Sequence, residues 1–352
     1  MNYLDLFSGI GGFASGITKA FENCGGENGI YRTPRQVQGE EVRQEEVGGS
    51  GDGCVQAGGS LRCDRQSSQK CFGKHYFSEI DRYASRVYKR HFPEAIELGD
   101  IRNVDPGQLG KIDLITFGFP CQDLSIAGNR KGIGGSRSGL FFEAIRLIRE
   151  LKPSLFVFEN VKGLFSSGEG RDFVEVLRTI ADIGLYECEW QLLNTKWVLP
   201  QNRERIYFIG HLAGGSSRKV FPIAHTNEKN VKHGGIDFHK TTLFTDINCR
   251  IAKGQTIQPV LTPNREEKRQ NGRRMKEDGE EMFTLTGQDK HGVFNGQRIR
   301  RLTPTECERL QGFPDGWTEG ESDSQQYKCC GNAVSVPIVQ MIFERLFKKE
   351  IK

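Results

Sequence analysis

Short apolar runs that close on glycine-rich turns alternate, along the amino-terminal part of the chain, with longer stretches whose apolar positions recur at helical spacing. Tyr3 to Phe7 is such a run, ending in a Gly-rich turn, and Phe13 to Phe21 resumes with helical character. The same order recurs three times. Tyr76 to Ile80 precedes Tyr83 to His91; Ile112 to Gly118 precedes Leu140, Phe141, Ala144, Ile145, Ile148 and Leu151; Leu155 to Phe158 precedes Phe173 to Ile183. Short continuous apolar runs suit strands buried on both faces, and the i, i+3, i+4 recurrences suit amphipathic helices. Their alternation predicts an α/β fold: a mostly parallel open sheet with helices on both faces. Arg205 to Gly210 predicts a further strand, near an edge. Pro337 suits the first turn of a last helix, where its missing amide is not needed, and Lys348 and Lys349 suit the carboxyl end.

Two segments break the alternation. Residues 23–75 hold 11 glycines, balanced charge and few large apolar side chains, which predicts an inserted, mobile loop. Cys24, Cys54, Cys63 and Cys71 fall within it, but no Cys-x-x-Cys pair completes a zinc pattern, and no metal site is expected. From about residue 225 to 300 polar residues dominate and the alternation is lost, which predicts a second, smaller and irregular domain. His225, His233 and His239 within it read as surface residues.

Composition narrows the classes. A chain of 352 residues, with 36% hydrophobic and 27% charged residues, can bury a full core without staples. No apolar run approaches the roughly 20 residues of a membrane helix, and Met1 to Asp5 lacks a basic flank and a hydrophobic stretch, so a cytoplasmic protein is expected. Ten cysteines at irregular spacing read as free thiols for the most part. The net charge of +4 is unevenly placed: residues 211–301 carry 17 Lys and Arg against 10 Asp and Glu, or +7, leaving −3 elsewhere. A local basic excess is compatible with a nucleic acid, but from charge alone a solvated face is the plainer explanation.

The candidate chemistry lies where strands end. Phe7, Ser8, Gly9, Ile10, Gly11 and Gly12 follow the first strand, and in an open parallel sheet such a turn is where nucleotide-like ligands settle, although a merely structural turn has the same look. Glu79, after a later strand, can accept bonds from both hydroxyls of a ribose. Asp100, in Gly99-Asp100-Ile101, can bond an adenine amino group or cap a turn. Gly118-Phe119-Pro120-Cys121-Gln122 places a thiol on a loop after a buried strand, where reactive rather than packing cysteines sit. Phe158-Glu159-Asn160-Val161 brings a carboxyl to the same sheet edge. Gln201-Asn202-Arg203-Glu204-Arg205 adds two guanidinium groups, which could also be surface ion pairs.

In this order, Asp5 to Phe13, Gly118 to Gln122, Glu159 to Val161, Gln201 to Arg205 and Gly331-Asn332-Ala333-Val334 resemble the motifs of the DNA cytosine-5 methyltransferase family, of the bacterial restriction-modification type. Arg301 to Glu306 and Leu310 to Pro314 resemble the block that follows the family's target-recognition region. The resemblance spans nearly the whole chain outside residues 23–75 and the variable region. It implies the S-adenosylmethionine-dependent methyltransferase fold, with a catalytic domain at 1–224 interrupted by 23–75, a target-recognition domain at 225–305, and a return to the catalytic domain at 306–352. It implies S-adenosyl-L-methionine as cofactor, lined by Phe7, Gly9, Ile10, Gly12, Glu79, Ile80, Asp100, Ile101, Pro120, Asn332 and Ala333. Ile80 stands where an aromatic is frequent.

The implied reaction is methyl transfer to carbon 5 of a cytosine rotated out of duplex DNA. Cys121 adds to carbon 6, Glu159 donates to ring nitrogen 3, and Arg203 and Arg205 hold the base and the active-site loop. Burial shifts a carboxyl in the direction that donation requires. Arg265, Lys268, Arg269, Arg273, Arg274 and Lys276 are candidates for phosphate contacts. A monomer is expected, with double-stranded DNA as partner, a companion restriction endonuclease as functional partner and no membrane. A tRNA cytosine-5 methyltransferase is the rival reading, since the same chemistry serves RNA.

Overall fold

Tyr3–Leu6 is buried along its whole length, as a strand in the middle of a parallel sheet must be. In the computed structural model, which describes residues 1–25, 71–120, 139–214, 219–224, 257–263 and 273–348, this run is strand β1 of a seven-stranded sheet. The other strands are β2 (His75–Ser78), β3 (Ile96–Glu97), β4 (Leu114–Phe117), β5 (Leu155–Val161), β6 (Tyr186–Asn194) and β7 (Glu204–Leu212), in the order β3-β2-β1-β4-β5-β7-β6. β3, β2, β1, β4 and β5 run parallel, and β7 pairs antiparallel with both β5 and β6. The strand read from Arg205 to Gly210 therefore lies one place in from an edge. The edge strand β6 was not anticipated, because its exposed and half-buried positions follow no clean period.

Among the described residues the α-helices are α1 (Gly12–Asn23), α2 (Arg82–His91), α3 (Gly139–Leu151), α4 (Arg171–Ala181), α5 (Pro304–Gln311), α6 (Asp323–Asn332) and α7 (Val336–Phe347). Both faces of the sheet are covered. One core gathers Phe13, Ile17, Val87, Tyr88, Ile338 and Ile342 from α1, α2 and α7. The other gathers Phe141, Ile145, Ile148, Val176 and Ile180 from α3 and α4. On that second face Phe158 stacks between Phe117 and Phe208, with ring centroids 4.7 and 4.3 Å away, so that one aromatic ladder fixes the register of β4, β5 and β7. α5 opens with a capping box, Thr303 and Glu306 exchanging side-chain and backbone bonds, with Pro304 in its first turn.

Of the segment 23–75, one described end closes α1 at the exposed Asn23, while the other belongs to the core: Cys71 and Phe72 are buried, and Phe72 stacks on Tyr3 at 4.7 Å. Residues 26–70, together with His225, His233 and His239, lie outside the described residues. Within the region where the alternation is lost, β8 (Gln258–Leu261), β9 (His291–Phe294) and β10 (Ile299–Arg301) form a separate three-stranded antiparallel sheet. It has its own core, around Met282, Leu285, Val293, Leu302 and Leu310.

No helix among the described residues is long and apolar enough to cross a membrane. The described residues also hold no cluster of three or more metal-ligating side chains.

Candidate active site at the carboxyl ends of the strands

The chain runs outward from β1 through β2 to β3 and then returns to place β4 on the other side of β1, so the connections diverge between β1 and β4. A crevice must open there, at the carboxyl ends of the strands. It is a cavity of about 660 Å³.

Phe7, Gly9 and Ile10 line it from the turn after β1. Phe7 and Gly9 both have positive φ, 51° and 54°, and an added Cβ on Gly9 would point into open space. Glycine is required there by the backbone turn rather than by crowding. Glu79, after β2, locks this turn: Gly9 N donates to its Oε2 at 2.8 Å, and Ile80 N and Asp81 N donate to its Oε1 at 2.9 and 2.8 Å. Burial raises the Glu79 carboxyl above its ordinary range, against the pull of these three amides.

Next to Glu79, Ile80 presents an aliphatic face that is 73% exposed, although it stands in a cavity wall. Asp81 caps α2 through Tyr83 N at 2.9 Å and is ion-paired with Lys328 at 2.6 Å. Burial alone would raise Asp81; Lys328 and the helix amides hold it below the ordinary range. Asp100 lies three residues beyond β3 rather than at its end. It accepts from both the backbone and the guanidinium of Arg102, which keeps its carboxyl low.

The opposite side of the cavity is built by β4, β5 and β7. Pro120 lines it and is the last described residue before Cys121, which lies outside the described residues. Asn160 ties that approach down, donating from Nδ2 to Phe119 O at 3.2 Å. Glu159, near the end of β5, faces Arg205 of β7, with Nε 2.8 Å from Oε1 and both side chains mostly buried. Among the described residues no hydrogen bond reaches that oxygen, although the ion pair does.

Arg203 is buried and lines the cavity, but its guanidinium is occupied by main-chain carbonyls. Nη1 donates to Leu285 O at 2.8 Å and Gly331 O at 3.4 Å, and Nη2 donates to Ala333 O at 2.8 Å, while Nε has no partner among the described residues. Burial pushes Arg203 down to about 9, which still leaves it charged at neutral pH.

The structure thus gathers Phe7, Gly9, Ile10, Glu79, Ile80, Asp100, Ile101, Pro120, Glu159, Arg203, Arg205 and Asn332 around one cavity. Gly12 and Ala333, expected in the cofactor set, do not line it. Gly12 packs on Val334, and Ala333 is buried with its carbonyl turned to Arg203. Lys328 and Cys329 do line it and went unread. The available signal was their spacing: four and three residues before Asn332 on α6, they share its helix face.

The C-5 cytosine-specific DNA methylase family matches residues 57–348. The chain belongs to that family. It is a DNA cytosine-5 methyltransferase, and its relatives include type II and orphan methyltransferases. The chain is 31% identical to the type II methyltransferase M.HpaII of Haemophilus parainfluenzae, over 81% of this chain and 86% of that one. It is 30% identical to the orphan methyltransferase M.SPRI of Bacillus phage SPR, over 77% of this chain and 91% of that one.

Two solved structures share the fold. One is a DNA modification methyltransferase encoded within an E. coli prophage, with a TM-score of 0.56 and 18% identity over 99% of this chain and 98% of that one. The other is the S. pombe Dnmt2 methyltransferase, with a TM-score of 0.54 and 17% identity over 98% of this chain and 97% of that one. The small sheet of the methylase bears on the expected phosphate contacts. Arg273 is ion-paired with Glu280 at 2.8 Å, and Lys276 donates to Glu281 O at 2.7 Å, so these two are engaged within the protein. Arg265, Lys268 and Arg269 lie outside the described residues.

Proposed function

We propose that this methylase moves a methyl group from S-adenosyl-L-methionine to carbon 5 of a cytosine flipped out of a specific duplex DNA sequence, through a covalent bond between Cys121 and carbon 6. The observation that carries this reading is the joining of two chemically different walls in one cavity. Glu79 and the uncovered Ile80 stand on one side, and Glu159 with Arg205 on the other.

The first wall fits the methyl donor. Glu79 is held by three backbone amides at the floor of the turn, where its carboxylate can meet ribose hydroxyls. Ile80 leaves an apolar face in a cavity wall for a flat ring to cover. Asn332 and Phe7 complete the lining. When bound there, the donor supplies an electrophilic methyl group.

The second wall does the work on the base. Carbon 5 of cytosine is too poor a nucleophile to accept a methyl group from the resting ring. The Cys121 thiolate adds to carbon 6, forming a C–S bond and sending the electron pair toward carbon 5. Glu159 hands a proton to ring nitrogen 3 and so removes the negative charge that would otherwise build there, and Arg205 holds the carboxyl against the base. After transfer, the carbon 5 proton leaves to a base and its bonding pair re-forms the ring double bond, the C–S electrons return to sulfur, the nitrogen 3 proton returns to Glu159, and the aromatic product is released. A stacked cytosine cannot reach these groups, so flipping is required, at a cost of a few kcal/mol.

The test is labelled methyl transfer to duplex DNA and to tRNA, by the wild type and by Cys121→Ser, together with trapping on duplexes that carry 5-fluorocytosine at the target. The expected result is methylated DNA and a trapped adduct for the wild type, and neither for Cys121→Ser. Preferential methylation of tRNA would favour the RNA reading. Activity retained by Cys121→Ser would end the covalent mechanism.

A further inference from the structure

The segment that leads into β9 from outside the cavity is pressed against the end of α6, where two cavity residues sit. A Cβ on Gly331 would stand 2.2 Å from the carbonyl carbon of Thr286, 2.3 Å from its oxygen and 2.4 Å from Gly287 N. A Cβ on Gly287 would stand 2.5 Å from Asn332 Oδ1. Neither glycine has a left-handed φ, so each is there for closeness rather than for backbone freedom.

The strap is also fastened on both sides of this contact. Thr284 Oγ1 donates to Asn202 O at 2.5 Å, Leu285 N donates to Gln201 Oε1 at 2.8 Å, and Leu285 O accepts from Arg203 Nη1, the same nitrogen that reaches Gly331 O. Beyond it, Thr286 Oγ1 accepts from Asp289 N at 3.0 Å. Asn332 thus has a fixed backbone surface behind it that belongs to another part of the chain.

We propose that the Thr286–Gly287 strap positions Asn332 in the wall of the donor cavity, so that residues leading to the small sheet set donor affinity without touching the donor. Gly287 is a positioning residue that acts through Asn332. The inference rests on the reading of the cavity as the methyl-donor pocket.

Gly287→Ala is the direct probe. The added methyl meets the far end of a side chain rather than a backbone, so Asn332 turns aside while the fold stands. The expected result is an unmoved thermal midpoint, a Kd for S-adenosylmethionine raised about tenfold by calorimetry, as for the loss of one hydrogen-bonding side chain, and an unchanged kcat at saturating donor. Asn332→Ser, whose shorter side chain clears the new methyl, supplies a double-mutant cycle: adding Gly287→Ala to it should weaken binding no further.

Full additivity, or unchanged binding in Gly287→Ala, would overturn the proposal. Ile80→Arg, which alters the cavity wall away from the strap, separates the two levels of the argument. If it weakens donor binding while Gly287→Ala does not, the strap inference alone fails. If it leaves donor binding intact, the reading of the cavity fails and the strap proposal goes with it.

Discussion

The two walls of the cavity differ in how completely their polar groups are satisfied. On the wall assigned to the methyl donor, Glu79 holds three amides, Asp81 holds a helix amide and Lys328, and Asp100 holds Arg102. On the wall assigned to the base, Glu159 Oε1 and Arg203 Nε are buried without a hydrogen-bond partner among the described residues. Buried polar atoms without partners are costly and therefore rare. The acids of the first wall are anchored within the protein before anything binds, whereas the second wall keeps charged atoms open for a substrate that arrives late and leaves. That division suits an enzyme in which a donor must be held still while a base is altered.

The sharpest break of this contrast is Glu159→Gln. It should lower the rate of methyl transfer by roughly 10²–10³-fold, the scale of removing one preorganised group from a charge-stabilising site, while donor binding measured without DNA stays as in the wild type. A variant within tenfold of wild-type activity would place Glu159 outside the chemistry.

Next in size is the floor under the donor wall. Asp5 is fully buried and accepts from Thr116 Oγ1 at 2.8 Å and Tyr88 OH at 3.1 Å, and burial pushes its carboxyl up from 3.8 to about 7. The fold therefore favours the neutral acid. Its stabilising contribution is complete below the unfolded value and is lost as pH rises through about 7. Between about pH 4 and pH 7.5 the wild type should lose on the order of 2–4 kcal/mol relative to Asp5→Asn in chemical denaturation. The reference to the variant is needed because His75, which burial holds down at about 3, gives the opposite slope: its contribution is present above its ordinary value of 6.5 and is lost toward acid. Parallel pH profiles for the two proteins would show that Asp5 does not titrate in this window.

Glu79→Gln should act on the donor alone. Its amide nitrogen would face a backbone N–H, two donors in conflict, so donor Kd should rise on the order of tenfold, with kcat at saturating donor close to wild type. A fall in kcat with Kd unchanged would make Glu79 part of the base chemistry and erase the contrast. The smallest effect is expected for Ile80→Trp. A broad aromatic face in place of an exposed aliphatic one should tighten donor binding about threefold, the low end of an aromatic pairing, and weaker binding would show that no flat ring lies over this position.

Much of this architecture was legible in the chain because the relevant signals are local. The run Tyr3 to Phe7 followed by glycines, the apolar face of 140–151 and the run from Leu155 each state their element within a few residues. Edge strand β6 was not legible, since half-buried positions such as Cys188 and exposed ones such as Trp190 follow no single period. Gly287 carried no signal either: its neighbour Asn332 is remote in the chain, and only contact explains the missing side chain. The guanidinium of Arg203, expected at the base, is directed to the carbonyls of Leu285, Gly331 and Ala333, a use no sequence spacing announces.

The sequence alone determined the alternation of buried strands and amphipathic helices that builds the parallel part of the sheet, and that a glycine turn, two acids and a pair of arginines sit near strand ends, because propensity and periodicity act over neighbouring residues. Tertiary structure decided which of those groups are already satisfied and which remain open. The partners come from far along the chain, Gly9 to Glu79 across 70 positions and Arg203 to Ala333 across 130, and hydrogen bonds of 2.8 Å exist only once the fold has brought those segments together.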